Sequence, residues 1–145
     1  MRISARGEYA IKAVLDMALH EGRGLIPIQE IAGRQRIPQR YLEQVLLALK
    51  RDGLLTSKRG AAGGYHLARS PEDITVGAVL RAVEGAGAPF EGGARDRAGR
   101  DGHDLGELWD EIAGAVSRVV DRMTFGELAA RARARLSVAR PMYHI

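Results

Sequence analysis

Two stretches of this 145-residue sequence carry side chains suited to chemistry on a large anion. In the run Ser57 to Leu67 (SKRGAAGGYHL), two adjacent cations, Lys58 and Arg59, stand directly before three glycines. In Pro38 to Asp52, Arg40, Gln44, Leu47 and Arg51 recur on one side of a helical wheel, with Gln39, Glu43 and Lys50 alongside. Arginine, glutamine and glutamate have the fork, amide and carboxylate geometry that reads base edges in the major groove of DNA. An arginine beside glycines suits a narrow minor groove, where the potential is most negative. Glycine there lets the backbone turn and approach its target without steric cost. A solvated face on an ordinary helix is the plain alternative for the second stretch.

Other chemistries find little footing. The histidines, His20, His66, His103 and His144, lie in unrelated contexts, and no Ser/His/Asp or paired-carboxylate arrangement recurs, so no catalytic residues and no enzyme activity are expected. The sequence has no cysteine, which excludes disulfides and thiolate metal sites. His103, between Asp101 and Asp104, reads as a solvated loop histidine and not as a metal ligand. No cofactor fingerprint appears. Nucleotide-phosphate loops lead from a strand into a helix whose amides face the anion, whereas the glycine run here leads from strand to strand.

The charge is distributed to match. Residues 1–70 hold 12 Lys/Arg against 6 Asp/Glu, and the remainder hold 10 against 12, so the basic excess sits in the first half. That is the polarity expected when one part of a chain meets a polyanion. A second reading keeps the same face but gives it an acidic protein as partner, with DNA incidental. No apolar run approaches the ~20 residues of a membrane span, and Met1-Arg2-Ile3-Ser4 lacks a charged-then-apolar leader. A cytoplasmic protein is expected.

The elements that position these residues follow from periodicity. Ala10, Ala13, Val14 and Met17 predict a helix over 4–20 capped by Ser4, and Ile28, Ile31 and Ala32 a short second helix from Pro27 to Gln35. Pro38 opens a third helix with an inner stripe of Leu42, Val45, Leu46 and Leu49, stopped by Gly53. Short strands at 55–59 and 64–67 flank Gly60-Ala61-Ala62-Gly63 as a hairpin, with Tyr65 and Leu67 pinning it to the body. Pro71 to Ile74 reads as a turn, and Thr75 caps a helix to Glu84. Residues 85–103 hold six glycines without periodicity, a flexible connection. A long helix from Leu105 to Met123 carries Leu108, Ile112, Val116, Val119 and Met123, widened by Trp109 and Val120, and Thr124 to Glu127 matches a capping box opening a short last helix. Two helices joined by a brief turn form a helix-turn-helix, and the hairpin after the second is a wing. The fold expected is mainly α with a small β-hairpin: a winged helix-turn-helix domain at 1–84, a flexible loop at 85–104, and a dimerisation helix with its tail at 105–145.

Ordered motifs along nearly the whole chain resemble the Rrf2 family of bacterial winged-helix transcription regulators. They include Ser4-x-x-Gly7-Glu8-Tyr9-Ala10, Tyr41-Leu42-Glu43-Gln44, Gly53-Leu54-Leu55-x-Ser57-x-Arg59-Gly60, Gly63-Gly64-Tyr65-x-Leu67, Leu108-Trp109 and Thr124-Phe125-x-Glu127-Leu128. The resemblance implies a homodimer on palindromic double-stranded DNA, acting as a repressor, with the long helices paired across the two-fold. The wide apolar face of that helix agrees independently. By position, Gln39, Arg40, Tyr41, Glu43 and Gln44 would meet bases or phosphates, Lys58, Arg59 and Gly60 would form the wing contact, and Arg2 and Ser4 would add phosphate contacts. Many members hold an iron–sulfur cluster through three cysteines, which this sequence lacks. It is therefore most similar to the cluster-free branch that includes the repressor of cysteine metabolism, which implies no cofactor and control through a protein partner, cysteine synthase.

Overall fold

The apolar stripes become the inner faces of the helices. A computed structural model describes residues 3–85 and 105–139. Helix α1 (Ala5–Leu19) starts at Ser4, whose Oγ accepts from the Gly7 amide at 3.1 Å, and it buries Ala10, Ala13, Val14 and Met17. Helix α2 (Ile28–Gln35) follows Pro27, and α3 (Gln39–Arg51) buries Leu42, Val45, Leu46 and Leu49. Strands β1 (Leu55–Lys58) and β2 (Gly64–Leu67) pair antiparallel, with Leu55 opposite Leu67 and Lys58 opposite Gly64. Arg59, expected in the first strand, thus belongs to the hairpin tip. A 3-10 turn (Pro71–Asp73) leads to α4 (Val76–Glu84), and α5 (Gly106–Arg122) and α6 (Phe125–Ala139) complete the described chain. Helix α1 is the hub: α2, α3, α4, α6 and β2 all pack on it. Among the described residues, no helix is long and apolar enough to cross a membrane.

Two features depart from the sequence reading. The wing is tied to the body by a third chain segment, because Ile26 and Tyr65 exchange both backbone hydrogen bonds at 2.8 Å. A one-residue bridge leaves no alternating pattern to read. It requires Gly64, since a Cβ there would stand 2.4 Å from the Ile26 carbonyl oxygen. Gly64→Ala is therefore expected to lower stability by ~1–3 kcal/mol through a forced backbone shift, measured by urea denaturation.

The last helix is also longer than expected, at fifteen residues. Its Ala- and Arg-rich run has strong intrinsic helix propensity without a marked apolar period. Phe125 and Ala129 enter the core, and Arg133 donates to the Ala18 carbonyl near the end of α1 at 3.2 Å. The segment 105–145, read from sequence as a dimerisation helix with its tail, contains this last helix, which packs on α1. Thr75 and Thr124 meet in a further bridge while each caps its own helix, accepting from Ala78 and Glu127 at 3.1 Å. The carboxylate of Glu127 accepts from Arg131.

Candidate nucleic-acid interface

The geometry of α3 is set from below. Asp16 of α1 is 1% exposed and accepts from Arg34 through both oxygens, at 2.9 and 2.8 Å, and from Gln35 at 3.0 Å. Burial alone would raise the Asp16 pKa, but these donors outweigh it and hold the carboxyl below the ordinary range. The clamp fixes the end of α2 against α1. The chain then reverses at Arg36, whose backbone is left-handed (φ 54°, ψ 47°), and both Arg36 and Ile37 donate backbone N–H to Ala32 O. Ile37 is buried, so α3 leaves the turn in a defined direction.

With the inner stripe of α3 in the core, Gln39, Arg40, Tyr41, Glu43, Gln44, Leu47, Lys50 and Arg51 are all exposed. The Tyr41 ring stands edge-on to Tyr9 of α1, with centroids 5.3 Å apart and planes at 80°, so α1 braces the first turn of α3. The wing follows after only three residues. Leu54 and Leu55 are buried at its root, and the Leu54 amide donates to the Leu49 carbonyl at 3.1 Å. At the tip the Gly63 amide closes on Gly60 O at 2.9 Å, and Gly60 has φ 110°, open to glycine. Lys58, Arg59 and Gly60 are exposed there, while Tyr65 and Leu67 pack on the core as expected. Among the described residues, Arg40, Lys50, Arg51, Lys58 and Arg59 enter no ion pair; Arg23, Arg34, Arg81 and Arg131 do. Arg6, Lys12, Arg36 and Arg69 are among other described cations that enter none, so what distinguishes α3 and the wing is that five exposed cations fall within residues 40–59.

Other predicted residues are distributed differently. The Ser4 hydroxyl, expected to meet a phosphate, accepts from the Gly7 amide at the cap of α1 and donates to Glu84 of α4. Arg2, His103, the loop 86–104 and the tail 140–145 lie outside the described residues. The predicted dimerisation set divides. Val116 and Val120 pack on Leu80 of the same chain, beside Val76 and Ile11, and Arg81 clasps Asp121 at 2.6 and 2.9 Å. Leu108, Ile112 and Val119 remain exposed, with Trp109 and Met123 half-buried. Not one residue of α5 is buried. The Asp16 clamp was the functional support missed from sequence, and its signal was a carboxylate set among the apolar positions 13, 14 and 17.

The pattern of the Rrf2 family, described as iron-dependent transcriptional regulators, matches residues 3–131. The sequence is 40% identical over 129 residues to the HTH-type transcriptional regulator IscR of Sodalis glossinidius, covering 88% of this chain and 78% of that protein. It is 39% identical to the IscR of Photobacterium profundum, over 88% and 75%. Among solved structures, CymR, the global cysteine regulator of B. subtilis, superimposes with a TM-score of 0.76 at 32% identity, covering 90% of this chain and 98% of that one. T. potens IscR gives 0.73 at 33%, covering 91% and 88%. These relatives are transcriptional regulators and not enzymes, and their winged-helix architecture is the one found here. The iron of the family description has no fitting donors in what is described: thiolates are absent from the sequence, and no group of three or more His, Asp or Glu among the described residues converges to hold a metal ion.

Proposed function

We propose, from the premise that this chain belongs to the Rrf2 family of DNA-binding transcriptional regulators, that it is a homodimeric repressor of the cluster-free kind acting in the cytoplasm on a palindromic operator. The observation that carries this reading is the continuity of α3 and the wing, which gather five unpaired cations and a polar helix face within residues 39–60. Helix α3 enters the major groove, where Arg40, Glu43 and Gln44 meet base edges. Gln39 and the hydroxyl of the braced Tyr41 reach the flanking phosphates. Arg59 enters the adjacent minor groove beside Gly60, Lys58 neutralises a phosphate, and Arg2 adds a further one. Leu108, Ile112 and Val119 cover one another across the two-fold. Likeness to CymR and the lack of cysteine favour control of cysteine or sulfur genes, with cysteine synthase as co-regulator; a pull-down with the tagged protein from native lysate tests that partner.

Fluorescence anisotropy against duplexes selected by the protein from a random pool tests the reading. A selected site should bind at least ~1,000-fold tighter than random duplex, and equal binding would overturn it. Arg59→Ala should lower operator affinity by ~1–3 kcal/mol, whereas Lys58→Ala should reduce the salt slope by about one unit. A slope near zero in the wild type, far from roughly −0.9 per phosphate neutralised, would point to an acidic protein partner instead.

A further inference from the structure

Among the described residues, the exposed large apolar side chains fall into a few groups. Most lie on α5 and α6, Ile3 lies at the start of the described chain, and two lie on α3, Tyr41 and Leu47. The contact with Tyr9 accounts for Tyr41. Leu47 has no such partner. It is 46% exposed and makes no part of the core cluster, yet it sits in the middle of the polar face, one turn beyond Glu43 and Gln44 and one turn before Lys50 and Arg51. Its neighbours on that face are charged or carry amides, so it is an isolated apolar group on a surface built to meet a polar one.

We infer that Leu47 is a specificity residue that packs on the C5-methyl group of a thymine in the operator. The inference rests on the DNA-binding reading of α3 and deepens it. The chemistry of the major groove leaves few alternatives: each base pair presents donors and acceptors there, and the thymine methyl is its apolar feature. A leucine has nothing to donate or accept, so a donor or acceptor pressed against it would lose its water without replacement. Position along the helix agrees. A turn of α-helix advances about 5.4 Å and a base step about 3.4 Å, so the methyl lies one to two base steps from the contact made by Gln44. Leu47 is then buried only in the complex, which explains why the free subunit leaves it in water.

The test uses the full chain and a fluorescein-labelled duplex that the protein itself selects from a random pool. Each thymine is replaced in turn by deoxyuridine, which removes the methyl and leaves every hydrogen-bonding group in place. One thymine per half-site should show a loss of about fourfold on replacement, the effect of one buried methyl-sized group, with no change at the others. Leu47→Ala should bind the thymine and deoxyuridine duplexes equally, while keeping the salt slope of the wild type. Since Leu47 contributes nothing to the core, circular dichroism should show the variant melting with the wild type. Leu47→Met, a second variant of similar bulk, should retain a methyl preference. Specific binding in which no thymine methyl matters, or a methyl effect that persists unchanged in Leu47→Ala, overturns the inference while leaving the proposed function standing. Failure to select any sequence from the pool overturns both.

Discussion

Placing aspartate at both Ile112 and Val119 is expected to give a folded monomer whose affinity for the operator falls at least ~100-fold, because the second half-site no longer benefits from tethering. The two side chains are 39% and 61% exposed in the subunit, so charge there costs its own fold little. Val116 and Val120, neighbours of that pair on the same apolar face of α5, are left in place to seat on Leu80, and the Arg81–Asp121 pair is untouched. The pairing surface, by contrast, would have to bury two carboxylates without partners, which apolar interfaces tolerate poorly. Light scattering after size exclusion reads the mass, and anisotropy reads the affinity. A dimer at micromolar concentration, or a monomer binding as tightly as the wild type, would show that the exposed face of α5 is not the surface joining the subunits.

The second large effect is on stability. Asp16→Ala strips Arg34 of its buried partner and leaves Gln35 unpaired, and it should destabilise the protein by ~2–3 kcal/mol, below the ~3–5 kcal/mol of a fully buried pair because Arg34 is one-third exposed. The pH dependence has a definite sign. The Asp16 carboxyl is held below its unfolded value, so its ionised form stabilises the fold above about pH 4, and that contribution disappears as pH falls through the folded value. Urea denaturation between pH 7 and pH 2.5 should therefore show the gap between wild type and Asp16→Asn closing in acid. A gap constant across that range would remove the charge from the account. DNA binding should weaken with stability here, because the clamp orients the turn from which α3 departs.

Much of this architecture was legible from local pattern. The stripe Leu42, Val45, Leu46 and Leu49 fixed which face of α3 is outward, and Gly53 and the glycines of the tip marked the wing to within a residue. Thr75 and Thr124 announced their caps. What escaped was non-local. The bridge from Ile26 to Tyr65 involves one residue on each side, and the docking of α6 depends on Phe125 meeting a cavity built by distant segments. Asp16 shows the limit of a purely apolar reading: a carboxylate in a buried stripe makes sense only once Arg34, eighteen residues on, is known to reach it. The apolar width of α5 was visible as a total, but its division between Leu80 inside the subunit and open solvent required the position of α4.

The bareness of α5 has a consequence for dosage. A lone chain leaves a seventeen-residue helix without a single buried side chain, so with the dimer proposed above as the DNA-binding species, that species is expected to grow as the square of protein level while copies are scarce. Where such a chain governs its own synthesis, promoter occupancy would switch over a narrower range of cellular abundance than a monomeric binder could achieve, and small changes in turnover would be felt as large changes in output.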